Sequence, residues 1–179
     1  MLKIEETALV VIDVQGKLAK IMHESNNLLS NIEKIIKGAN VLNMPIIWLE
    51  QYPKGLGPTD DKLQPHLSRY EPIDKMIFSA FESEAFQEEL KQLGRKNLLV
   101  TGIESHICVY QTVRQLLEND YYVEVLADCV SSRTAENSQI GIERMLALGA
   151  ELTSVEMVLF ELIRSAEHPN FKEISQIIK

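Results

Sequence analysis

The sequence predicts an α/β protein: a parallel β-sheet with helices packed on both of its faces. Two observations carry this. Short runs rich in β-branched residues alternate with segments whose apolar residues recur every three or four positions, the order expected of strand–helix–strand units. The runs are also apolar nearly throughout, as suits strands buried on both faces.

The elements follow in order. "TALVVIDV" (7–14) reads as a buried strand, and "NLLSNIEKIIKGANVLN" (27–43) has helical spacing. "PIIWLEQ" (45–51) is the next strand. "SEAFQEELKQLG" (83–94) is a helix with Ser83 as N-cap and Gly94 as its stop. "NLLVTGI" (97–103) is a strand and residues from about 106 to 118 a helix. "YVEVLADCV" (122–130) is a strand, "AENSQIGIERMLALG" (135–149) a helix, and "ELTSVEMV" (151–158) a final strand. A closing helical region follows, broken near Pro169. Residues 52–74, "YPKGLGPTDDKLQPHLSRYEPID", have four prolines, two glycines and no period. A loop this long is either functional or a surface excursion with a short helix. No shift of composition marks a second domain, so 1–179 is expected to be one domain.

Composition narrows the function classes. With 45% hydrophobic residues, the 179-residue chain can bury a core without staples. Acidic residues outnumber basic ones 26 to 18, for a net charge of −8, which disfavours nucleic acid or an anionic membrane as partner. Two cysteines are too few for a disulfide scaffold or a four-thiolate zinc site. The lead-in "MLKIEETALVVIDVQ" lacks a basic n-region, and no apolar run approaches ~18 residues. A cytoplasmic protein is therefore expected. His23, His66, His106 and His168 form no paired ligand motif, and there is no phosphate-binding glycine signature, so no metal and no cofactor are expected.

In an open parallel sheet, ligands bind beyond the carboxyl ends of the strands. The reactive residues there are Asp13, Glu50, Gln51, Glu104, Ser105, His106, Cys108, Asp128, Ser131, Ser132 and Arg133. Asp13 follows "ALVVI", where a charge needs a partner or a task. Cys108 stands between a strand and a helix, where free amides and the helix dipole favour a thiolate and can stabilise an oxyanion. By position alone it is either a nucleophile or a small core residue. Cys129 within "VLADCV" reads as core. His106, two residues from Cys108, suits substrate-lining or capping before a base role, because side chains at that spacing diverge. Lys75 alone reads as a surface lysine.

Together, "VVIDVQ", "KMIFSAF", "VTGIESHICV" and "ADCVSSR", in this order over nearly the whole chain, resemble the isochorismatase-like cysteine hydrolase superfamily. "EQYPKGLGPT" is most similar to its short branch, the YcaC-like hydrolases and isochorismatase-domain-containing proteins. The resemblance implies a three-layer fold with a six-stranded parallel sheet in the order 3-2-1-4-5-6. It also implies a catalytic set of Cys108 as nucleophile, Asp13 as general base and Lys75 as the cation favouring the thiolate. A cis peptide is implied at Ile103–Glu104, with the amides of Glu104 and Cys108 turned toward one oxyanion. Gln15, Gln51, Tyr52, Phe78 and His106 are expected to line the substrate pocket. The implied activity is hydrolysis of a small amide or related carbonyl compound through a thioester. Nicotinamidases of the superfamily carry a metal set after the second strand that "LEQYPKGLGPT" lacks. Isochorismatase itself cleaves a vinyl ether without needing the cysteine, so that chemistry and a silent interaction module stay open as alternatives. A small-molecule substrate and a homo-oligomer are expected, with "VLFELI" and the long loop as interface candidates.

Overall fold

The computed structural model describes residues 1–179. After a 3-10 turn at Ile4–Glu6 the chain forms β1 (Thr7–Ile12), α1 (Gly16–Lys20), α2 (Ser25–Val41) and β2 (Ile46–Gln51). Next come α3 (Pro53–Leu56), α4 (Gln64–Leu67), β3 (Ile73–Lys75), a 3-10 turn at Ala80–Glu82 and α5 (Glu84–Leu93). Then β4 (Asn97–Ile103) runs into a π turn (Ser105–Val109) that leads into α6 (Tyr110–Glu118). Finally β5 (Tyr122–Ser131), α7 (Ala135–Ala147), β6 (Glu151–Thr153), α8 (Val155–Ile163) and α9 (Phe171–Ile178) complete the chain. All strand pairs are parallel and the order is β3-β2-β1-β4-β5-β6.

Two-residue alternation divides the sheet between two cores. From β1, Leu9 and Val11 join Leu99 of β4 against Ile32, Ile35 and Ile36 of α2 and Leu159 and Leu162 of α8. Ala8, Val10 and Ile12 face the other way, with Phe86 and Leu90 of α5, Val113 and Leu116 of α6 and Met145 of α7. Covered on both sides, all six residues of β1 are buried. This is why the run shows no polar alternation. The central pair β1–β4 brings Ile12 opposite Gly102, where any Cβ would collide with the Ile12 carbonyl and where φ is +123°. Glycine therefore lets the two central strands close up at the end of the sheet that matters for function.

Four expectations are corrected. The final strand is three residues long, not 151–158: β6 is an edge strand paired only with β5, and Ser154 stops it by accepting the Met157 N–H as N-cap of α8. Buried Val155, Val158, Leu159, Leu162 and Ile163 follow helical spacing, a pattern visible in the sequence. Because four of these residues bury the apolar side chains of "VLFELI" in the core, that segment is not an interface candidate. The 52–74 loop holds two short helices, pinned by fully buried Leu63 and Leu67, and leads into the unforeseen β3. Ser83 occupies the N-cap position of α5 but makes no side-chain cap bond. No helix is long and apolar enough to cross a membrane.

Candidate active site

Three neighbouring strands deliver polar residues to one edge of the sheet. Asp13 lies just beyond β1, Gln51 closes β2, and Lys75 closes β3 in register with Gln51. Asp13 turns out of the strand with φ +55°, a conformation that aspartate tolerates better than most residues, and its N–H donates to the Leu49 carbonyl at 3.1 Å. Its side chain is buried and accepts from Lys75 Nζ at 2.7 Å through Oδ2. The same ammonium donates to Gln51 Oε1 at 2.6 Å and to the Phe78 carbonyl at 3.0 Å, with the Ile77 carbonyl at 3.3 Å. Lys75 is thus no surface lysine: its side chain is 0% exposed.

Cys108 arrives from β4 across the π turn and is buried at 7% exposure. The Glu104 carbonyl accepts from the N–H groups of Ile107 and Val109, passing over that of Cys108 between them. Thr112 Oγ1 donates to the Cys108 carbonyl at 2.7 Å and accepts from the Ala80 N–H at 2.9 Å, fixing the turn from below. Gly141 of α7 presses on it from the other side; a Cβ there would stand 2.7–2.8 Å from Ser105 and His106 backbone atoms. The Ile103–Glu104 peptide is cis. The Glu104 carboxylate accepts from Arg133 Nε at 3.0 Å and from the Arg133 N–H at 3.3 Å.

Burial, then the Asp13 carboxylate, push the Cys108 thiol up to about 12, and the opposing pull of Lys75 does not cancel them. The packed surroundings thus favour the neutral thiol over the thiolate. Burial is also the largest influence on Asp13, lifting its carboxyl above the ordinary value against the pull of Lys75. The thiol feels both partners of the ion pair, yet forms no hydrogen bond of ordinary geometry, and Asp13 Oδ1 is buried without a partner.

The remaining candidates separate. Gln15 is fully buried, with its carboxamide committed to the backbone of Gln51 and Gly57, so it does not line open space. Phe78 contributes its carbonyl to Lys75, while its side chain, like that of Tyr52, belongs to an exposed residue. His106 Nδ1 lies 2.9 Å from Ser132 Oγ, and the residue lines a separate cavity of about 360 Å³ with Tyr110, Asn137 and Arg144. A further cavity of about 440 Å³, bounded by His23, Asn31, Asp128 and Ser131, contains none of Asp13, Lys75 and Cys108. Neither of these cavities marks the site; a buried ion pair acting on a thiol does. Sequence patterns missed Thr112, Gly141 and the full burial of Lys75. A threonine four residues after the cysteine and a glycine inside a helix were the available signals. No grouping of three or more His, Cys, Asp or Glu side chains is arranged to hold a metal ion.

Sheet order and helix placement define the class, an isochorismatase-like α/β hydrolase fold. The chain belongs to the isochorismatase family, whose Isochorismatase domain matches residues 7–157. Isochorismatase family protein 1B of Dictyostelium discoideum is 37% identical over 98% of this chain and 87% of its own length. Isochorismatase domain-containing protein 2 of Danio rerio is 35% identical over 96% and 86%. Among solved structures, the MAR1 ribonuclease from Caenorhabditis elegans superposes with a TM-score of 0.93 at 35% identity, covering 99% of this chain and 91% of that one. YcaC from Pseudomonas aeruginosa, solved with hexane-2,5-diol and covalent acrylamide, gives 0.92 at 23% identity over 98% and 90%, a likeness of fold.

Proposed function

We propose that the protein is a cysteine hydrolase acting on a small amide or related carbonyl substrate through a thioester on Cys108. The observation that carries this reading is the buried Asp13–Lys75 pair, 2.7 Å apart, within influence of the Cys108 thiol. A thiol held neutral needs a base at the moment of attack. Asp13, whose raised affinity for protons comes from burial, takes that proton as sulfur bonds to the carbonyl carbon. The Glu104 and Cys108 amides would receive the oxyanion. The C–N bond then breaks and the amine leaves with the proton from Asp13. Water adds to the thioester, the S–C bond breaks, and acid and free thiol are regenerated. Lys75 keeps Asp13 ionised between turnovers and offsets the negative charge that develops on sulfur.

The chemistry is read without a metal because no three His, Cys, Asp or Glu side chains gather to hold one, and Glu50, which acts on Asp13, has its Oε1 engaged by both the N–H and hydroxyl of Thr59. A homo-oligomer in the cytoplasm fits this reading. Nucleic acid fits it less well, since a net charge of −8 disfavours binding to a phosphate backbone.

The test is a screen of small amides with wild-type protein and Cys108→Ala, followed by intact-mass detection of an acyl adduct. Loss of turnover in the variant and an adduct on Cys108 support the reading; full activity in Cys108→Ala removes it. One observation favours a second reading. A carboxyl with a raised proton affinity beside a neutral thiol suits acid-catalysed cleavage of a vinyl ether, with Asp13 as proton donor. Turnover that survives thiol blocking would select that chemistry.

A further inference from the structure

Gln51 does more than border the site. Its carboxamide spans the gap between β2 and the segment after β3, with Oε1 accepting from Lys75 Nζ at 2.6 Å and Nε2 donating to the Met76 carbonyl at 2.8 Å. Its main chain is gripped in turn by Gln15. Gln15 Oε1 accepts the Gln51 N–H at 2.6 Å, and Gln15 Nε2 donates to the Gln51 carbonyl at 2.9 Å and to the Gly57 carbonyl at 2.7 Å. A fully buried carboxamide that meets one residue's N–H and C=O together holds it as a paired strand would.

The count of donors makes this matter. Lys75 has three N–H donors and four acceptors within reach: Asp13, Gln51, Phe78 and, at longer range, Ile77. The ammonium therefore has a choice of partners, and a lysine stem is flexible. Without Gln51, the Ile77 carbonyl can take its place and draw the charge toward the 76–78 segment.

We infer that Gln51, clamped by Gln15, is a positioning residue that aims the Lys75 ammonium at Asp13 and Cys108. This rests on the proposed roles of those two residues. The groups that set the charge around the thiol are Asp13 beyond β1, Lys75 at the end of β3, and Glu50 of β2, which acts on Asp13. Glu104 is occupied by Arg133 and His106 by Ser132. Of these charged side chains, Lys75 alone favours the thiolate, so its aim bears on how readily the thiol ionises.

The probe is iodoacetamide, which needs no known substrate: sulfur bonds to the methylene carbon, iodide leaves, and the thiol proton is released. Alkylation of Cys108 is followed by mass spectrometry across pH 7–11, with Cys108→Ala to subtract Cys129. Gln51→Met, which keeps volume but removes both hydrogen bonds, is expected to slow alkylation at pH 9 at least fivefold and move the profile to higher pH. Gln15→Met should shift it the same way by less, because it acts through Gln51. An unmoved alkylation profile in Gln51→Met, whatever its melting temperature, would make Gln51 merely structural and overturn the inference. Failure of the function reading is a different result, turnover by Cys108→Ala, and leaves the alkylation profile intact.

Discussion

Lys75 Nζ sits 2.7 Å from Asp13 Oδ2, and neither side chain is more than 2% exposed. An ion pair this deep is a poor source of net stability, because desolvating both charges costs about what their attraction returns. Each partner is nevertheless a strict requirement for the other.

That asymmetry yields a stability prediction. Asp13→Ala or Lys75→Met alone should destabilise the fold by about 3–5 kcal/mol, since each leaves a buried charge uncompensated. The double variant should be less destabilised than the sum of the two, giving a coupling free energy in a urea double-mutant cycle.

The raised thiol predicts a pH dependence with a definite sign. Burial, then the Asp13 carboxylate, push the Cys108 thiol up to about 12 from its ordinary value of 9.0. Its contribution is therefore intact below pH 9 and is lost as pH rises toward 12, because the unfolded chain gains by releasing the proton first. Between pH 9 and 11 the wild type should lose on the order of 2 kcal/mol more stability than Cys108→Ala. Denaturant melts of both proteins at the two pH values measure the difference, and Cys129 cancels between them.

Gly141 offers a test in which two effects oppose. In an ordinary helix interior, Gly→Ala stabilises by roughly 0.5–1 kcal/mol. Here the new methyl would meet Ser105 and His106 backbone atoms at 2.7–2.8 Å. Overpacking of that kind costs about 1–3 kcal/mol. Gly141→Ala should be net destabilising and should slow Cys108 alkylation by displacing the π turn. A stabilised variant with wild-type alkylation would show that the turn yields freely.

Thr112 is the other brace of that turn. Thr112→Val removes the donor to the Cys108 carbonyl and the acceptor for the Ala80 N–H while conserving shape. Leaving buried groups unsatisfied should cost about 1–3 kcal/mol. Thr112→Ser should recover most of it in thermal or urea melts.

Much of this architecture is legible in local pattern. The helix over 27–43 appears as α2 at Ser25–Val41, and the strand over 97–103 as β4 at Asn97–Ile103, because a long periodic helix or a wholly apolar strand carries its own signal. β3 was not legible, since three residues including Asp74 and Lys75 give no period and exist as a strand only because β2 offers an open edge. Its absence hid the reason for Lys75 to be buried. The overlong final strand has another cause: β-branched "ELTSV" favours a strand, and the Ser154 cap outweighs it.

Amino-acid order alone specified the α/β class, the Gly94 stop of α5 and the residues able to do chemistry beyond the strand ends, because these depend on neighbours within a few positions. Which charges pair, and what a thiol's neighbours do to its proton, waited on folding. Asp13 and Lys75 lie 62 positions apart and meet only because β1, β2 and β3 stand side by side in register. Burial raises the proton affinity of a thiol whose place at a helix end alone favours the thiolate, since the cost of desolvating charge belongs to the packed interior and not to any one residue.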